Sequence, residues 1–129
     1  MSVNVSVRLE YGLAERLRVR ARASGVSLSD RLRRYVEEGL RADEHPMITF
    51  RDGPTGRRAG LVGGPDVWEI AMWFDEIVAN GDDLGARVAE SNLSRTQIDA
   101  ALRYRSAYPE EISARIELHR QSSAAADAL

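Results

Sequence analysis

The chain contains no cysteine. A disulfide framework and a thiolate metal site are therefore both excluded. Lysine is also absent, so all 18 basic residues are arginine. Without lysine there is no P-loop, and Gly60 to Gly64 reads as a tight turn rather than a phosphate cradle. Every cationic site instead carries the planar guanidinium fork that suits phosphate and guanine. No run of about 18 apolar residues occurs, so no transmembrane helix is expected. The first residues lack a basic start followed by an apolar stretch, so no secretory signal is expected and a cytoplasmic protein is the default. Histidine is scarce: His45 and His119 lie far apart, and neither has metal-ligand spacing. No metal, no cofactor and no catalytic cluster are expected. Glu110-Glu111 and Asp82-Asp83 sit where helices should start, and there their charge offsets the helix dipole.

The 129 residues suit one compact domain or two very small ones. Charge divides the chain. Residues 1 to 42 hold nine arginines against five acids, a net of +4; residues 43 to 129 hold nine against fifteen, a net of −6. The first part is the candidate for a polyanionic partner, and the second is a poor one.

Val3, Val5, Val7 and Leu9 alternate with Asn4, Ser6 and Arg8, the period of a half-buried strand. Leu13, Leu17 and Ala21 then recur at helical spacing, which predicts a helix from about Tyr11 to Ser24, stopped by Gly25. Ser27 or Ser29 can cap a second helix carrying Leu32, Tyr35, Val36 and Leu40 on one face. One strand and two helices in about 40 residues cannot bury enough surface alone, and a lone strand leaves both edges unpaired. Pairing the strand with its copy in a second chain answers both problems.

This order, with Asn4-Val5-Ser6-Val7-Arg8-Leu9 and Gly25-Val26-Ser27-Leu28-Ser29, resembles the ribbon-helix-helix family of MetJ-, Arc- and CopG-like repressors. The resemblance implies a homodimer through residues 3–40 that binds operator DNA. It implies base reading by Asn4, Ser6 and Arg8 from a two-stranded ribbon in the major groove, and phosphate binding by Ser27, Leu28 and Ser29 at the start of the second helix. The proline common after the strand in that family is replaced here by Glu10-Tyr11-Gly12.

Ala42 to His45 reads as a short polar linker before Pro46. Met47 to Phe50 and Arg58 to Val62 flank the turn-rich Asp52-Gly53-Pro54-Thr55-Gly56, so a hairpin is expected. Pro65 or Asp66 opens a helix bearing Val67, Ile70, Ala71, Phe74, Ile77 and Val78, and Asn80-Gly81 stops it. A short helix follows near Asp83 to Glu90. Ser94-Arg95-Thr96-Gln97 is a capping box for a helix with Ile98, Ala101, Leu102 and Arg105. Tyr108-Pro109 ends that helix and starts a last one through Ile112, Ile116 and His119. The helix, turn and capped helix around 83–104 are compatible with a helix-turn-helix. The fold expected is thus mainly α: a ribbon-helix-helix module (1–44), a small helical, helix-turn-helix-like domain with a short β-hairpin (45–121), and a flexible tail (122–129).

The span from about Pro46 to His119 resembles the family known as the domain of unknown function numbered 433, on Gly63-Gly64, Asp66-Val67-Trp68-Glu69, Leu93-Ser94, Gln97-Ile98, Ala101-Leu102, Tyr104 and Tyr108-Pro109-Glu110-Glu111-Ile112. Its members look like antitoxins encoded beside PIN-like nucleases, and ribbon-helix-helix modules commonly head VapB-like antitoxins. Together the resemblances imply a type II antitoxin that represses its own operator and neutralises a PIN-like toxin. A stand-alone repressor, whose later domain oligomerises or senses a ligand, is the alternative; no enzyme is expected. Toxin contacts are expected after Pro46, from Trp68 or Trp73, from Arg115 and from His119. The two tryptophans lie five apart, so they fall on different helix faces. One is expected in the core and the other exposed as an anchor.

Overall fold

A computed structural model describes residues 1–128. The described residues are mainly helical, with six helices and one two-stranded antiparallel hairpin. They divide into two compact units, residues 1–40 and residues 41 onward.

The first unit holds α1 (Tyr11–Ala23) and most of α2 (Leu28–Glu44). Glu10 caps α1, its carboxylate accepting the Gly12 N–H at 3.2 Å. Gly25 takes φ +67°, a left-handed conformation that glycine adopts without steric cost, and the helix ends just before it. Ser27, not Ser29, caps α2: its Oγ accepts the Asp30 N–H at 3.1 Å. Among apolar side chains of this unit only Leu17 and Ala21 are buried. Residues 3–9, predicted as a strand, have no hydrogen-bonded strand structure in the single chain. The physical reason is local: a strand's N–H and C=O groups point sideways and need a second strand.

The predicted linker is different too. Residues 42–44 form the end of α2, and its residues from Arg41 belong to the second unit. There, β1 (Ile48–Arg51) and β2 (Arg58–Leu61) pair in the register Ile48↔Leu61 to Arg51↔Arg58. Helices α3 (Val67–Asn80), α4 (Leu84–Glu90), α5 (Arg95–Ala107) and α6 (Pro109–Asp127) follow. Asp66, rather than Pro65, is the N-cap of α3, in a capping box with Glu69. Ser94 and Gln97 form the expected box on α5, at 3.1 and 2.8 Å. One core gathers Leu61, Val67, Ile70, Ile98, Tyr104 and Ile112, among others. Assignments to the apolar faces change at three positions. Val78 is exposed, and on α5 Tyr104 is buried beside the expected Ile98 and Ala101, while Leu102 is half-buried and Arg105 reaches out to Asp75 at 2.9 Å. Helix α6 continues through the predicted tail to Asp127, because an alanine-rich stretch sustains helix well. Leu129, the last residue of that tail, lies outside the described residues.

Candidate nucleic-acid and partner interfaces

In the first unit Asn4, Ser6 and Arg8 are exposed. So are the valines that alternate with them: Val3, Val5 and Val7 are 76, 86 and 67% exposed. Leu9 lies half-buried along an apolar groove of about 750 Å³ that also takes in Leu13, Leu17, Leu32 and Tyr35, with Arg16 and Arg20 on its rim. Val36 and Leu40, expected on the inward face of α2, are exposed as well. Ser27, Leu28 and Ser29 stand exposed at the start of α2. The N–H groups of a first helical turn lack intrahelical acceptors and face outward with the positive end of the dipole. Asp30 carries negative charge beside them but is paired to Arg33 at 2.6 Å. Arg31, by contrast, is buried against Ser24 Oγ and sits over Tyr35, 5.6 Å from the ring centroid, so it serves packing.

In the second unit the four proposed toxin contacts separate into two places. Trp68, Arg115 and His119 come together. The Trp68 and His119 rings lie 4.9 Å apart, and with Thr55, Leu118 and Ser122 they border a shallow recess of about 150 Å³. Arg115 is already engaged. Its Nη1 donates to the Thr55 carbonyl at 2.7 Å and its Nη2 to the Arg57 carbonyl at 2.6 Å, bracing the hairpin turn from α6. Trp73 lies elsewhere, in a recess formed by α3, the Gly63-Gly64-Pro65 loop and the turn before α5. Neither tryptophan is fully core or fully exposed; both are half-buried against the central cluster.

Two polar clusters were not foreseen from the sequence. The first centres on Asp66, 5% exposed. Its Oδ2 accepts from Arg58 Nε and from Trp68 Nε1 at 3.2 Å, and Arg51 Nε approaches Oδ1 at 3.6 Å. Arg51 Nη2 also donates to the carbonyls of Leu61 and Gly64, at 3.0 and 2.8 Å. That guanidinium crosses β2 over Gly60, where a Cβ would meet it at 1.8 Å. A side chain at that position would displace the guanidinium from its carbonyl partners, so glycine suits the close approach. The second cluster joins Arg41, Tyr104 and Glu111. Tyr104 Oη accepts from Arg41 Nη1 at 2.8 Å and donates to Glu111 Oε2 at 2.8 Å. Arg41 also lies over the Tyr108 ring, 3.9 Å from its centroid. Burial, and then the hydrogen bond to Glu111, push the Tyr104 hydroxyl above the usual tyrosine range. In the second cluster the partners stand 7 to 70 positions apart, and in the first Arg58 stands 8 from Asp66, spacings that announce no partner in the sequence.

Among the described residues no three His, Asp or Glu side chains gather as metal ligands, and no helix is long and apolar enough to cross a membrane. No family model, no curated protein and no solved structure matches the chain.

Proposed function

We propose that this chain is a dimeric DNA-binding antitoxin: residues 3–40 pair with a second copy and bind operator DNA, and the second unit binds a toxin, a PIN-like nuclease. The observation that carries the DNA-binding half is the uncovered apolar surface of the first unit. Val3, Val5, Val7, Leu13, Val36 and Leu40 are all exposed, beside a groove lined by leucines. A module that buries two apolar side chains has almost no hydrophobic stabilisation of its own, since each fully buried large side chain contributes only about 1.5–3 kcal/mol. Pairing residues 3–9 across a two-fold axis satisfies their backbone and turns the valines to a shared core. The same act leaves Asn4, Ser6 and Arg8 on the outer face of a ribbon that fits the major groove. The exposed Ser27 cap then offers its helix terminus to a phosphate.

The antitoxin half rests on the residue pattern of 46–119 and its resemblance to the family numbered 433. Arg115, pinned on the hairpin turn, serves that half as a brace rather than as a free arginine entering a nuclease site. The test has two arms. The full chain should sediment as a dimer and shift a fragment of its own promoter, and the Val5→Asp/Val7→Asp variant should lose both properties. A monomer, or a variant with unchanged DNA affinity, would remove the ribbon-helix-helix reading. Co-expression with the neighbouring gene product should give a stable complex and rescue growth. Failure of that arm alone leaves a stand-alone repressor.

A further inference from the structure

The recess at Trp73 is a concave feature of the second unit lined by α3, the Gly63-Gly64-Pro65 loop and the turn before α5. One wall is α3, with Ile70 fully buried and Trp73 half-buried one turn on. The opposite wall is the Ser91–Leu93 turn together with Gln97. Gly63, at φ +69°, lets the loop fold back and leave the indole accessible. The volume, about 380 Å³, admits one long side chain.

Its polar groups have a definite sign. Glu69 lines it, using Oε1 to accept the Asp66 N–H at 3.3 Å. Glu76 is exposed on the same face of α3, since residues 69, 73 and 76 stand four and three apart. No cationic side chain lines the recess. Gln97 and Asn92 add neutral amides; the Gln97 Oε1 is held by the Ser94 N–H at 2.8 Å.

We infer that this recess is a docking site for an arginine side chain of a protein partner, stacked on the Trp73 indole and charge-paired with Glu69 and Glu76. A guanidinium is planar and weakly hydrated, so it stacks on an indole face while its edge donates to a carboxylate. An ammonium cannot do both in one plane. A nucleic acid is disfavoured, because its phosphates would meet two carboxylates. The inference deepens the toxin-binding reading of the second unit: the unit receives an arginine instead of inserting one. It rests on that reading for the partner's identity but not for the chemistry of the site.

The experiment therefore uses no toxin. The full-length ¹⁵N-labelled protein has two indole N–H resonances, one from each tryptophan, assigned with Trp73→Phe. It is titrated with a blocked Gly-Arg-Gly peptide and with the same peptide carrying citrulline, the neutral isostere. The arginine peptide should move the Trp73 resonance saturably and leave Trp68, tied to Asp66, in place. Citrulline should bind at least fivefold more weakly, and so should the arginine peptide to Glu69→Gln/Glu76→Gln, in which glutamine keeps the capping bond. No shift at Trp73, equal shifts from both peptides, or an unaffected double variant would overturn the inference. If the peptide binds as expected and the neighbouring gene product forms no complex, the toxin assignment fails and the arginine site stands.

Discussion

Removing the Asp66 carboxylate should destabilise the second unit more than any surface substitution. Asp66 is nearly inaccessible, receives Arg58 and Trp68, faces Arg51 and occupies the N-cap of α3. In Asp66→Ala two arginines lose the carboxylate they share. Breaking a buried pair costs about 3–5 kcal/mol, and losing a cap costs about 1. The two guanidinium side chains keep 35 and 23% of their surface in solvent, and Arg51 keeps its carbonyl partners, so water recovers part of that loss. We expect about 3 kcal/mol in total. For a unit of this size that lowers the melting temperature by roughly 12–24 °C. Asp66→Asn separates the contributions, because asparagine still caps and still accepts from Trp68 while the charge is gone. It should recover about 1 kcal/mol. Urea unfolding of the full chain, followed by tryptophan fluorescence, reads both variants. A loss below about 1 kcal/mol in Asp66→Ala, or an Asp66→Asn variant as stable as the unsubstituted chain, would refute the assignment of Asp66 as the charge that holds the hairpin to α3.

Arg8→Ala should weaken specific promoter binding by about 1–3 kcal/mol in a gel shift and leave the melting curve unchanged, because the side chain is exposed. Ser27→Ala should cost about 1 kcal/mol of stability through the lost cap on Asp30 N–H, with a fall in DNA affinity that is similar across sequences. Tyr104 should stay protonated beyond the ordinary tyrosine value near 10, which ultraviolet difference titration of the chain against Tyr104→Phe detects. Its pKa is raised in the folded chain, so its contribution is complete below the ordinary tyrosine value near 10 and is lost as pH rises beyond it. Tyr104→Phe should abolish that alkaline sensitivity and cost about 1–2 kcal/mol at neutral pH, because Arg41 and Glu111 remain paired to each other at 2.9 Å.

Much of the local structure was legible because it depends on residues close in sequence. The capping box of Ser94 and Gln97, the stop at Gly25, the hairpin turn between β1 and β2 and the start of α6 at Pro109 each follow from side-chain chemistry within four or five positions. The exposure of Val3, Val5 and Val7 in the single chain follows too, since a strand and two helices in about 40 residues offer too little surface to cover them. What only the tertiary structure decided is which distant groups meet. From sequence Leu102 and Arg105 are expected with Ile98 and Ala101 on α5, yet it is Tyr104 that joins those two in the core, where Arg41 and Glu111 supply partners for its hydroxyl. Arg115 is expected from sequence as a toxin contact, yet two carbonyls of the hairpin turn hold it. A side chain's type states what it can pair with, and the fold alone brings the partner within reach.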